Sequence, residues 1–144
     1  MNTPPQVTHL LNDILTELHA RLPANFVGFY LRGSLATGDF RPESSDVDLL
    51  AVTEREVSAA EFSSLVELHR AIAEQAHPFA TRLEITYIDR AALRRFQPGH
   101  QFPTLGQGEG EKLVWTEHHT HWILERWTLR WPRSCGASTA STCR

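Results

Sequence analysis

The apolar positions of the first fifty residues follow two different periods. After Pro4 and Pro5, the residues Leu10, Leu11, Ile14, Leu15, Leu18 and Leu22 recur at intervals of three and four, and Pro23 ends the pattern. That spacing predicts an amphipathic helix whose apolar stripe faces a core. Phe26-Val-Gly-Phe-Tyr-Leu31 is a short continuous apolar run, the mark of a buried strand, and ends at Arg32-Gly33-Ser34, beyond which a loop is expected. Asp46-Val-Asp-Leu-Leu-Ala-Val52 alternates and then becomes wholly apolar, as does a strand that enters a sheet interior after its first residues. Its N-terminal end carries two carboxylates.

A second helical period runs from Ser58 to Gln75, with Phe62, Leu65, Val66, Leu68, Ala71 and Ile72 on one side and Pro78 beyond its end. Ser58 with Glu61 three residues later has the form of a capping box. Leu83-Glu-Ile-Thr-Tyr-Ile88 alternates apolar with polar, which predicts a half-exposed strand with Glu84 facing away from Ile85. Gln97 to Lys112 holds four of the eight Gly and two of the eight Pro, without usable periodicity, and reads as a long loop. Leu113 to Trp131 contains all four Trp with Ile123, Leu124 and Leu129 and reads as a final helix that Pro132 ends. Arg133 to Arg144 has no large apolar side chain and is expected to be disordered.

Composition narrows the class. A chain of 144 residues with 41% hydrophobic and 22% charged residues is that of a globular protein of one compact domain. The net charge is −3, and Lys112 is the only Lys beside thirteen Arg, so no basic footprint for duplex nucleic acid is present. The longest apolar run, Leu49 to Val52, is far below the roughly 20 residues of a membrane helix. The N-terminus lacks a basic and an apolar signal region, which makes the cytoplasm the expected compartment. Cys135 and Cys143 lie in the last ten residues and cannot staple the body of the fold.

The chemistry lies in one ordered constellation: a strand, Gly33-Ser34, a loop, Asp46-x-Asp48, a helix, and a strand with Glu84. Residues two apart on a strand share a face, so Asp46 and Asp48 can jointly hold a hard cation such as Mg²⁺, which prefers oxygen ligands. Gly33 lets backbone approach a phosphate and Ser34 adds a hydroxyl, which together suggest a triphosphate cradle. A Gly-Ser pair or an Asp-x-Asp in a turn is by itself usually structural or solvated. In this order, with a third acid on the next strand, clustered carboxylates would repel one another without a cation to hold.

The segment Tyr30-Leu-Arg-Gly-Ser-Leu-Ala-Thr-Gly-Asp-Phe-Arg-Pro-Glu-Ser-Ser-Asp-Val-Asp-Leu-Leu-Ala-Val52 closely resembles the polymerase-beta-like nucleotidyltransferase signature. The nearest branch is similar to the aminoglycoside adenylyltransferases of the streptomycin and spectinomycin type. The likeness continues through Leu83 to Ile88, Arg90 to Phe96 and Glu117 to Arg126. It implies a small mixed α/β sheet flanked by helices, with residues 8–131 as a nucleotidyltransferase domain and 132–144 as a disordered Ser/Thr-rich tail. It also implies that Gly33 and Ser34, helped by Ser45, hold nucleotide phosphates, that Asp46 and Asp48 hold Mg²⁺, and that Glu84 deprotonates the acceptor hydroxyl. The implied reaction transfers a nucleoside monophosphate, with ATP the expected donor and an aminoglycoside the acceptor class. Relatives of this branch continue into a helical bundle that forms much of the acceptor cleft. The tail Trp131 to Arg144 does not look like that continuation, which suggests a frameshifted or truncated reading frame.

Other signals weigh less. His118, His119 and His121 are close in sequence, but no Cys or acid completes a zinc set. Arg90, Arg94 and Arg95 could reach a triphosphate, yet exposed Arg is more often solvated. An exposed Trp-rich Leu113 to Trp131 helix would favour a homodimer. The rival reading of the whole chain is a minimal nucleotidyltransferase that acts as an antitoxin-like interaction module, or an inactive remnant that still binds nucleotide.

Overall fold

The computed structural model describes residues 3–95, 97–106 and 112–117. Helix α1 (Pro5–Arg21) opens with Pro5, where a missing N–H is harmless, and buries Val7, Leu10, Leu11, Ile14 and Leu18. Leu22 N–H closes on the Leu18 carbonyl at 2.9 Å, and Pro23 cannot extend the ladder. Strand β1 (Phe26–Leu31) follows, then a short helix α2 (Gly33–Thr37) where a loop was expected, and strand β2 (Val47–Thr53).

Helix α3 (Ala59–Ala73) begins at Ser58, whose hydroxyl accepts the Glu61 N–H while the Glu61 carboxylate accepts the Ser58 N–H, each at 3.2 Å. Glu61 also accepts from Asn25 Nδ2 at 2.9 Å and Arg55 at 2.7 Å, so the predicted capping box is tied to the start of β1. After a 3-10 turn at Ala80–Arg82 come strand β3 (Leu83–Asp89), helix α4 (Arg90–Arg94), and strands β4 (Gln101–Leu105) and β5 (Leu113–Glu117).

The five strands form one mixed sheet in the order β1-β2-β3-β4-β5. Only β2 and β3 run parallel, because α3 carries the chain back across the sheet between them. Side-chain alternation divides the core into two layers. Leu49, Ala51, Ile85 and Tyr87 pack with α1 and α3 on one face. Leu50, Val52 and Ile88 pack with Ala92 of α4 and Phe102 of β4 on the other. Within the first layer the buried His69 meets the Tyr87 hydroxyl at 2.7 Å. Burial, with the Arg21 charge, pushes the imidazole down to about 3, so it is neutral at physiological pH.

Three further expectations change. The alternation of Leu83 to Ile88 predicts a half-exposed strand, but β3 is the central strand, and Thr86 and Ile88 are buried as fully as Ile85. The long loop of Gln97 to Lys112 contains β4, whose Pro103 and flanking Gly residues obscure its pattern, although Phe102 and Leu105 are buried. Leu113 to Glu117, expected as the first turn of a helix, is instead β5, paired from Leu105↔Leu113 to Gln101↔Glu117. A β-branched and aromatic alternation next to a Gly-rich connection favours a hairpin over a helix there. The remainder of the expected Trp-rich helix, the three His, both Cys and the tail lie outside the described residues. Among the described residues no helix is long and apolar enough to cross a membrane.

Candidate active site

Asp48 and Glu84 are each the second residue of a strand, and the parallel register sets them directly opposite one another. Neighbouring strands lie about 4.8 Å apart, so the two carboxylates are adjacent on one face. That is the face Asp48 shares with Leu50 and Val52, and α4 covers only its far end because it follows the C-terminus of β3. At the near end both acids are half-buried among the described residues. Asp46 lies just before β2 begins.

Proximity has an electrostatic consequence. The Glu84 carboxyl is pushed up to about 7, first by burial, then by its hydrogen bond to Asp48 and the charges of Asp48 and Asp46, with Arg32 opposing the shift. Near neutral pH Glu84 therefore keeps its proton for part of the time. Among the described residues no three His, Cys, Asp or Glu side chains converge as a ready ligand set; Asp46 acts on Glu84 through its charge alone.

Gly33 closes the other side. The Arg32 N–H donates to the Asp48 carbonyl at 2.8 Å, which brings the start of α2 against β2. Gly33 takes φ +54°, and a Cβ there would fall 3.2 Å from Asp48 Cγ and overlap Oδ2. Both the left-handed backbone and the space require glycine. Ser34 lies in the first turn of α2, whose C-terminus closes at Gly38 in the αL conformation, with the Gly38 N–H donating to the Ser34 carbonyl at 3.0 Å.

Of the residues singled out in the sequence, Gly33, Asp48 and Glu84 are thus brought together, with Ser34 and Asp46 alongside. The Ser45 hydroxyl accepts the Arg41 N–H at 2.8 Å and so serves the turn that leads to Asp46. The Arg90 cluster is not part of the group: Arg90 follows the far end of β3, roughly 20 Å along the strand from Glu84, and pairs with Glu54 at 3.3 Å. Arg32, not singled out in the sequence, proves to be the cation whose charge acts on Glu84. It lies within the Tyr30 to Val52 signature, but its effect on Glu84 depends on the strands meeting and is not marked by any local period.

A mixed sheet with two acids opposed on adjacent parallel strands, beside a glycine that opens a short helix, is the arrangement that the resemblance of Tyr30 to Val52 implies for a domain of the nucleotidyl-transfer class. The sequence comparison agrees: residues 11–97 match the profile of the family described as nucleotidyltransferase domain. This stretch is more than half of the chain, and the protein belongs to that family. Among solved structures the chain is similar to the crystal structure of spectinomycin adenyltransferase AAD(9) from Enterococcus faecialis with ATP and spectinomycin. The TM-score is 0.57 at 20% identity, over 81% of this chain and 48% of that one. The likeness is one of fold, and the chain spans about half the length of that protein. No curated protein matches the sequence.

Proposed function

We propose that the protein transfers a nucleoside monophosphate, AMP from Mg-ATP, to a hydroxyl of a small acceptor of the aminoglycoside class. The observation that carries this reading is the Asp48–Glu84 pair against Gly33. Burial and the neighbouring charges of Asp48 and Asp46 raise the Glu84 proton affinity, which shows a concentration of negative charge at this end of the sheet, the kind of hard oxygen surrounding in which a divalent cation is held.

Asp46 and Asp48 would hold Mg²⁺, which supplies charge neutralisation at the triphosphate. Gly33 and Ser34 offer the phosphates close backbone and the unsatisfied N–H groups of the first turn of α2, with Ser45 at the loop edge. Glu84 takes the proton of the acceptor hydroxyl. The freed oxygen bonds to the α-phosphorus as the bond to pyrophosphate breaks, and pyrophosphate leaves with its electron pair. A raised proton affinity suits Glu84 to this role, since it accepts a proton readily near pH 7. The AAD(9) structure, solved with ATP and spectinomycin, supports donor and acceptor by analogy of fold. An ATP-dependent reaction of this kind belongs in the cytoplasm.

Calorimetric titration with each nucleoside triphosphate and Mg²⁺, followed by candidate aminoglycosides, tests the reading. Saturable, Mg²⁺-dependent ATP binding and AMP transfer are expected; no binding of any triphosphate would end it.

Within the described residues, the expected self-association rests on Trp115. Trp115 is 40% exposed, stacks on Phe62 of α3 with centroids 5.1 Å apart, and lies on β5, an edge strand among the described residues. An apolar edge of this kind favours pairing with a second copy. Light scattering is expected to show a dimer that Trp115→Lys shifts to monomer; a wild-type monomer at high concentration would exclude the dimer.

A further inference from the structure

We infer that Arg82 is a positioning residue for Asp46: it bolts the loop that delivers the aspartate to the strand that delivers Glu84. The inference rests on the reading that Asp46 and Asp48 hold Mg²⁺. Arg82 ends the 3-10 turn before β3, two residues from Glu84. Its Nη1 donates to the Pro42 carbonyl at 2.8 Å and its Nη2 to the Ser45 carbonyl. The Ser45 carbonyl belongs to the peptide bond that joins Ser45 to Asp46, so the guanidinium orients the plane from which Asp46 departs. Val47 pairs with Leu83, and continuing that register by one residue sets Arg82 beside Asp46.

The rest of the loop converges on the same turn. Ser44 and Ser45 N–H both donate to the Arg41 carbonyl, at 3.1 and 2.8 Å, which folds the segment into a compact turn. Phe40 packs on Phe79 with ring centroids 5.8 Å apart, and the Arg82 guanidinium covers Phe79 at 4.8 Å from its centroid. One turn therefore grips the loop at Phe40, Pro42 and Ser45. A guanidinium is suited to this because its planar fork of donors satisfies two carbonyls at fixed separation while its face stacks on an aromatic ring. Those two contacts use one N–H of each terminal nitrogen and turn the side chain toward the protein's own carbonyls.

The consequence concerns the cation site. Asp46 precedes β2 and so lacks the strand pairing that orients Asp48. Residues that orient a ligand typically govern metal affinity by 10- to 100-fold.

Mn²⁺ binding, followed by water-proton relaxation in the absence of nucleotide, reads this directly. Arg82→Ala is expected to weaken Mn²⁺ by roughly 10- to 100-fold, and Arg82→Lys, which keeps the charge and can reach one carbonyl, to weaken it less. Metal-free binding of inorganic triphosphate is expected to be unchanged. Mn²⁺ affinity equal to wild type in both variants would overturn the inference, and so would loss of triphosphate binding with normal Mn²⁺ affinity, which would make Arg82 a phosphate ligand. If Arg82→Ala does not fold, Arg82→Lys carries the test by the same two readouts. Asp48→Asn is the control. If it binds Mn²⁺ like wild type, the cation reading fails as a whole, whereas loss in Asp48→Asn with none in the Arg82 variants rejects the role of Arg82 alone.

Discussion

Asp48→Asn is expected to remove Mg²⁺-dependent ATP binding, by at least roughly 100-fold, and with it any transfer activity, because the amide keeps the shape of the side chain but deletes an anionic ligand. Asp46→Asn is expected to act in the same direction. The fold survives the change, since the strands that carry these residues are held by Leu49, Leu50, Ala51, Ile85 and the helices over them. Stability is expected to move the opposite way from function. Glu84 has its proton affinity raised in the folded chain, so between about pH 4.5 and 7 the native state holds more protons than the unfolded one. Stability then falls as pH rises through that window. Removing the Asp48 charge leaves burial as the main cause of the shift, so the slope becomes shallower and the metal-free variant melts higher than wild type near pH 8. Calorimetric titration with Mg-ATP and thermal melts across pH 5 to 8 measure the two effects. Unaltered Mg-ATP affinity in both Asp variants would refute the assignment.

Glu84→Gln separates the base from the ligands. Turnover is expected to fall by roughly 10²- to 10⁴-fold while Mg-ATP affinity stays within a few-fold, because a general base acts on the hydroxyl and not on the bound triphosphate. In the wild type the acid limb of kcat/KM follows deprotonation of Glu84, so activity climbs as pH approaches the group's raised value, and cation binding moves the limb to lower pH by favouring the carboxylate. The limb disappears in Glu84→Gln. Equal loss of nucleotide affinity in Asp46→Asn, Asp48→Asn and Glu84→Gln would make Glu84 a third ligand.

Much of this was legible in the chain because it is local. The intervals of Leu10 to Leu22 and of Phe62 to Ile72 make helices under any tertiary arrangement, and the Ser58–Glu61 box closes within four residues. The run Leu49 to Val52 is too apolar to lie anywhere but inside, and two aspartates at its mouth must then lie at the edge of the core. Where pairing is the deciding term, the local signal misleads. Gln101–Leu105 and Leu113–Glu117 are strands because the first pairs with β3 and the second with the first, a gain that no window of sequence contains. The half-polar pattern of Leu83 to Ile88 reads as a half-exposed strand until Ala92 of α4 and Phe102 cover Ile88 and Thr86 is buried beside it.

The sequence alone therefore determined the two long helices, the buried strand, and the kinds of residue at the site, since periodicity, capping and side-chain chemistry act over a few residues. Only the tertiary structure decided that Asp48 faces Glu84 across a parallel register, that burial and the closeness of Asp48 raise the Glu84 proton affinity, and that Arg82 holds the approach to Asp46. Each of those depends on segments about forty residues apart in the chain, brought together by α3 returning across the sheet, and electrostatic and hydrogen-bond energies fall off too steeply with distance to exist before that crossover is made.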